Sequence, residues 1–497
     1  MLSLSSIKNH FKRNAKSTED FCDNTHKLLI LYCLSSGLSI AASQSFVILF
    51  LLYCLHNFFS NIKKHKSQLS SADTIVPLKK LFQPMLTWFL LALMAALVGI
   101  NTSLALSETI KALIYLILPF AIWYSFSRQN FNIEQIGSRS MQYLYCICAS
   151  LTVAAVHTII ETSIDRTLRP AIPGPVTESG QLALVIPCTL FLLLNLYKRA
   201  SDKIQELDFQ RSFSTLIYYL VLFFSVLLIC WPNEFCRNGS LCAASTARIA
   251  GILLGLSMIL LPIVQKKGVD FKFHLLSISS VLIVSAMLIN LKRGPWFGLF
   301  AAILVMGIIL PRKIIFSCLL LGAVLVLALS PSRHRLKELP EHFTISGGRA
   351  MMWEVGVELT KRYPLGLGLK NAKYMQKFDP SFPPSHRHLH NNFLNIVVET
   401  GWLGLITYIW WMLTVLALAY NSFKTTNHSS DTRKKNLGML SFTLGCSLLA
   451  WQIAGTVEYN FGDSEIRLIA FVFIGLLITI SSALAANKSN QSKSIKA

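Results

Sequence analysis

Three histidines at alternate positions, His386, His388 and His390, stand in SHRHLHNNFLNIVVETGWLGL (385–405), with Arg387 among them and a long apolar run behind. In an extended segment every second side chain projects to one side, so the imidazoles can share a face. Three chemistries fit that face: a metal clasp of neutral imidazoles, a solvated cluster, or a general base oriented by its neighbours. An unperturbed imidazole titrates at about pH 6.5, which suits it to taking a proton from a hydroxyl near neutrality. No carboxylate accompanies the histidines locally. Glu399 lies nine residues beyond His390, roughly 13 Å along a helix, too far for direct pairing. It falls inside an apolar run, where a carboxylate is expensive; the expected role is a hydrogen bond or ion pair that positions its helix.

Arginines supply the complementary chemistry. Arg293 in LKRGPW and Arg248 in STARIAG each stand at the end of an apolar run. Pro295 suits the first turn of a helix, and Trp296 suits an interfacial anchor. Such arginines either snorkel to the membrane surface or hold an anion, since a guanidinium is always charged and binds phosphate oxygens bidentately.

The elements that must position these groups are membrane helices. The chain of 497 residues is 53% hydrophobic and 14% charged, with mean hydropathy +0.52, whereas soluble domains carry about 25% charged residues. Its apolar runs match the roughly 17–25 residues that cross a bilayer, and they lack the alternation of a β-barrel. The reading is an all-α, polytopic transmembrane bundle of about 12–14 spans. Residues 1–27 form a basic cytoplasmic N-terminus, 28–330 about eleven spans, 331–390 a large external loop, 391–486 further spans and 487–497 a cytoplasmic tail. The stretch 28–60 reads as two short crossings broken near Ser43-Gln44-Ser45. Lys and Arg recur in alternate loops, so the net charge of +22 follows from the positive-inside bias and calls for no nucleic-acid partner. The eleven cysteines lie mostly in apolar runs as small packers. In the outer loop CRNGSLC, Cys236 and Cys242 either pair in an oxidising compartment or stay reduced.

The external loop carries ten basic and five acidic residues, an excess that suits an anionic ligand. After Ser346-Gly347-Gly348, the spacing of Met352, Val355, Leu359 and Tyr363 predicts an amphipathic helix along the membrane surface or over the bundle. Pro364 ends it. The following LGLG is either a helix-terminating turn or, less specifically, a set of backbone amides open to phosphate.

In their order, LKRGPW, GGRAMMWE, PLGLGL and HLHNNFLNIVVETGWLGL resemble the O-antigen ligase and polymerase superfamily of bacterial envelope glycosyltransferases. The resemblance runs from about 285 to 415, roughly a quarter of the chain, with TLRPAIPGPVTESGQLAL as an upstream echo. It implies transfer of a glycan from undecaprenyl pyrophosphate to a hydroxyl acceptor, at the periplasmic face of the inner membrane. The acceptor it implies first is lipid A–core oligosaccharide. Transfer would invert the anomeric carbon and need no metal or other cofactor. His390 would be the base, and Arg293 and Arg349 the pyrophosphate ligands. His388, Arg248, Arg169 and Glu399 would support them. Lys292 stands where the family commonly has a small hydroxyl residue. A polymerase or a protein-directed oligosaccharyltransferase would share this donor chemistry. A lipid-linked glycan flippase is the remote alternative; it would show charges deep in several spans and two related halves.

Overall fold

The computed structural model describes residues 4–60, 72–128, 132–164, 174–203, 209–231, 247–256, 259, 271–308, 316, 319–320, 322–324, 326–327, 329–344, 348–377 and 387–496. Every element among them is helical: α1 (Leu4–Ser35), α2 (Ile40–Ser60), α3 (Ala72–Val98), α4 (Thr102–Ser127), α5 (Ile133–Ile164), α6 (Pro175–Lys203) and α7 (Phe209–Cys230) come first. Then follow α8 (Ala247–Leu256), α9 (Phe271–Ile289) and α10 (Arg293–Met306). The long loop carries α11 (Ser330–Lys337), α12 (Leu339–Thr344) and α13 (Arg349–Arg362), and α14 (Asn392–Thr426), α15 (Thr432–Ala454) and α16 (Ser464–Lys496) close the chain.

Nine of the described helices are long and apolar enough to cross a membrane: α2 to α6, α9, and α14 to α16. Apolar segments of α7, α8 and α10 are shorter. The crossing expected near 313–330 falls largely outside the described residues. The first reversal differs from expectation. It lies at residues 36–39, where the amides of Leu38 and Ser39 both donate to the Ser35 carbonyl. Ser43 sits inside α2 with its hydroxyl bonded to the Ile40 carbonyl at 2.9 Å. A serine that back-bonds to its own helix satisfies its polar group without breaking the helix.

The helices sort into layers by what surrounds them. The apolar windows of α16, α15 and α6 are 89%, 83% and 78% buried, against 28% for α2, so these three form the centre. Outer helices present Leu52, Leu97 and Leu413 outward, as lipid-facing helices do. α10 packs along α15 at backbone distance, because a side chain at Gly298 would collide with the Ala450 carbonyl. α13 lies over the bundle, as one of the two expected positions. Its Met352 and Leu359 join Leu367, Leu389 and Val398 in one apolar cluster against α14.

α14 is broken. Gly401 (φ 75°, ψ 176°) interrupts its helical path and frees the carbonyls before it. The PLGLG segment after α13 takes them: Leu367 N donates to the Val398 carbonyl at 2.8 Å and Gly368 N to that of Glu399 at 2.9 Å, while Trp402 N reaches the Pro364 carbonyl. The amides of Leu367 and Gly368 are therefore spent on the broken helix, and that of Gly366 on the Tyr363 carbonyl. Irregular backbone at membrane depth persists only where protein satisfies it in this way. A Cβ on Gly401 would strike the Pro364 carbonyl and lie 2.8 Å from the carbonyl carbon of Leu365. Gly401→Ala is thus expected to lower the thermal midpoint in detergent, with about 1–3 kcal/mol lost to backbone strain alone. Gly137→Ala is the control, since its new Cβ meets only Leu437 Cδ1 at 3.9 Å; an equal drop there would refute the assignment.

Candidate active site

The histidine segment is fixed by the residue between its rings. Leu389 is fully buried; its amide donates to Asn395 Oδ1 at 3.2 Å, and its carbonyl accepts from Trp353 Nε1 at 3.0 Å. With Leu389 turned into the protein, His388 and His390 turn the other way, their rings 4.3 Å apart. Behind them Asn391 caps α14 by accepting from Leu394 N, and its amide donates to the Thr456 carbonyl at 2.8 Å. Asn392 is buried; its backbone amide donates to the Gly455 carbonyl and its Oδ1 accepts from Phe461 N. The two asparagines stitch the histidines to the 455–463 turn between α15 and α16.

That turn supplies a residue the sequence reading missed, Glu458. Its Oε1 accepts from Arg349 Nη2 at 3.1 Å, and its Oε2 faces His390 Nδ1 at 3.6 Å. Burial alone would raise the Glu458 carboxyl. The His390 imidazole, the Arg349 guanidinium and the Lys292 ammonium outweigh it and hold the group below the usual glutamate range. Arg293 opens α10 beside them. A Cβ on Gly294 would lie 2.8 Å from Glu458 Cγ, so the glycine of KRGPW lets the helix start reach this carboxylate. Arg293 donates to the Arg335 carbonyl at 2.9 Å and feels the charges of Arg349, Glu338 and Glu458. Two guanidiniums within mutual reach leave a site that an anion would relieve.

Left-handed backbone marks the same place. Among the described residues, the non-glycine positions with positive φ are Leu291 (53°), Lys370 (63°) and His390 (49°). Leu291 precedes Lys292 and Arg293. Such conformations cost of order 1–3 kcal/mol each and gather at functional sites.

A cavity of about 210 Å³ opens beside His390. His388, His390, Glu458, Lys370, Tyr459 and Asp463 line it, with Thr177 and Gly462. Lys370 Nζ donates to the Gly462 carbonyl at 3.2 Å and stands 5.3 Å from the Tyr459 ring centre. Asp463 Oδ2 accepts from Thr177 at 3.1 Å. Burial and then Glu465 push the Asp463 carboxyl up to about 6. Glu399 is buried one layer behind, accepting from the Tyr459 hydroxyl at 3.4 Å.

His390, Arg349 and Arg293 are thus brought together, with His388 at the cavity wall and Glu399 behind it. Arg248 lies on α8, which packs on α7 through Gly251 against Ser225 and Ile229, and no described contact joins it to the site. Arg169, His386, Cys236 and Cys242 lie outside the described residues. Among the described residues no group of three or more His, Cys, Asp or Glu is arranged to hold a metal ion. Glu458, Lys370 and Asp463 were not singled out in sequence; the one signal was a short outer loop rich in acids, VEYNFGDSE.

Residues 278–409 match the family model described as O-antigen ligase. The match supports a membrane glycosyltransferase of the O-antigen ligase and polymerase superfamily. It covers Arg293, Arg349 and His390 and ends before the turn that carries Glu458 and Asp463. No curated protein matches the chain.

A consequence for stability follows from Asp463. With its folded pKa raised to about 6, the native state binds this proton more tightly than the unfolded chain does. The resulting stabilisation is full below the ordinary aspartate value and is lost as pH rises through 6. Asp463→Asn, which never ionises, should therefore melt above the wild type at pH 7.5. The gap should close as pH falls below about 6; a gap independent of pH would contradict the assignment.

Proposed function

We propose that this chain transfers a whole glycan from undecaprenyl pyrophosphate to a hydroxyl of lipid A–core oligosaccharide, at the periplasmic face of the bacterial inner membrane. The observation that carries the reading is Glu458, shared between Arg349 and His390 with Arg293 alongside. Anion-binding cations and a proton acceptor then belong to one constellation at one end of the bundle. The family match over 278–409 supports the class of chemistry.

The roles follow from charge. As the bond from the anomeric carbon to the pyrophosphate oxygen breaks, negative charge grows on the leaving group. Arg293 and Arg349 face it; Arg349 spends one N–H on Glu458 and keeps others for phosphate. His390 takes the acceptor's hydroxyl proton while that oxygen bonds to the anomeric carbon from the opposite face, inverting it. With Nδ1 turned toward Glu458, Nε2 is the nitrogen that accepts the proton. The carboxylate then stabilises the imidazolium that forms. Glu458 thus acts as a positioning residue through His390, and the arginines do the electrostatic work that a metal does elsewhere.

The test uses the full-length protein in detergent with its carrier-linked glycan and lipid A–core. His390→Ala should reduce transfer by roughly 10²–10⁴-fold at unchanged membrane abundance; full activity would remove the base. Glu458→Gln should lower kcat by about 10²-fold with little change in acceptor KM, and Glu458→Asp should recover part of it. A loss confined to KM would place Glu458 elsewhere.

Chelation with EDTA should leave turnover intact; its loss would restore a metal reading of the histidines. A lipopolysaccharide gel of a deletion strain identifies the acceptor. Bare core with free carrier-linked polymer marks a ligase, core bearing one repeat a polymerase, and unchanged lipopolysaccharide with unglycosylated protein a protein-directed enzyme.

A further inference from the structure

We propose that Lys370 and Asp463 form the subsite that receives the acceptor, and that they select a neutral sugar ring presenting hydroxyls over a phosphorylated group. The proposal rests on the reading of His390 as the base. Its first support is position. Glu458 holds Arg349 on one oxygen and faces His390 with the other. The cavity beside His390 is lined by Lys370 and Asp463, while Arg293 and Arg349 are not among its lining residues. In an inverting displacement the nucleophile arrives opposite the leaving group, and the base must sit on the nucleophile's side. The cavity meets that requirement, because His390 lines it while Arg349 is held on the other oxygen of Glu458, and neither arginine is in the lining.

The second support is that Lys370 is held where a lysine is costly. Its φ of 63° lies in the left-handed region, which glycine or asparagine would occupy more cheaply. The backbone on either side is fastened: Gly368 N donates to the Glu399 carbonyl, and the buried Asn371 side chain donates to the Leu367 carbonyl at 2.6 Å. The ammonium is aimed as well, through the Gly462 carbonyl at 3.2 Å and the Tyr459 ring at 5.3 Å. No backbone requirement calls for a long cation at this position, and its side chain stands in the wall of the cavity.

Charge decides the ligand class. Lys370 is opposed electrostatically by both Asp463 and Glu399, and Glu465 adds to the negative side. A phosphate would meet carboxylates there and find a lysine already offset. A polyol fits better: Asp463 accepts from hydroxyls, with one oxygen already held by Thr177, and Lys370 donates to a hydroxyl or ring oxygen. The cavity, about 210 Å³, has room for one sugar ring.

The experiment measures KM for each substrate with the full-length protein in detergent. The donor is the carrier-linked glycan. The acceptor is lipid A–core from cells lacking that glycan, used native and after enzymatic dephosphorylation. Lys370→Met and Asp463→Asn should each raise acceptor KM by about tenfold or more, the loss of one hydrogen bond to a charged group, with donor KM within about twofold. Lys370→Arg should recover part of the loss, and dephosphorylated acceptor should serve the wild type as well as native acceptor. Unchanged acceptor KM in both variants overturns the subsite, and a parallel rise in donor KM reassigns these residues to the donor. A dephosphorylated acceptor that performs tenfold worse overturns the neutral-sugar selection. His390→Ala run alongside separates the two readings. If it retains transfer while the variants still raise acceptor KM, the base assignment falls and the subsite stands. If it loses transfer while acceptor KM is untouched, only the subsite falls.

Discussion

The buried carboxylate of Glu458 is the constraint around which this end of the bundle is organised. An ionised group taken out of water costs several kcal/mol unless partners of opposite charge offset it. Here the partners come from three separate parts of the chain. Lys292 stands at the start of α10, Arg349 at the start of α13 and His390 just before α14. Each arrives by a local device: a glycine that removes a side chain at 294, a helix laid over α14 by its apolar face, and a buried leucine that turns two histidines outward. The same carboxylate lets two guanidiniums share one neighbourhood. It also gives the imidazole a negative neighbour on the nitrogen that does not take the acceptor's proton.

Much of this was legible before any fold was known, because the signals were local. Apolar run length gave the helices, and period 3.6 gave the face of α13, whose Met352 and Leu359 are buried as that period requires. Alternation gave the shared side of His388 and His390. What stayed hidden depended on contacts distant in sequence. Glu458 lies 109 residues beyond Arg349, in a loop that reads as a balanced outer turn until the helices bring it under the histidines. LGLG read first as a helix-terminating turn, with amides open to phosphate as the weaker alternative; nothing local announces that α14 breaks at Gly401 and takes up the amides of Leu367 and Gly368. Ser43-Gln44-Ser45 looked like a break because hydroxyls resemble turn residues; inside α2 the Ser43 hydroxyl returns its hydrogen bond to the Ile40 carbonyl of the preceding turn.

The break in α14 also ties the loop to the chemistry. A continuous helix would keep the carbonyls of Val398 and Glu399 for itself and offer the 364–368 segment nothing to hold. With Gly401 left-handed, those carbonyls accept from Leu367 and Gly368, and the strap so fastened ends at Lys370 two residues later. The same stretch of α14 sends the Glu399 side chain to the Tyr459 hydroxyl, and the Tyr459 ring stands 5.2 Å from His388 and 5.3 Å from the Lys370 ammonium. One unwound residue thus fixes the register of the loop, the cation at the cavity and the aromatic wall between cation and histidine. Strain at Lys370 and His390 can persist because the backbone before each is tied to α14, Gly368 N to the Glu399 carbonyl and Leu389 N to the Asn395 side chain, bonds that relaxation would lose. A site assembled in part from loop residues therefore acquires the rigidity of the helical bundle beneath it.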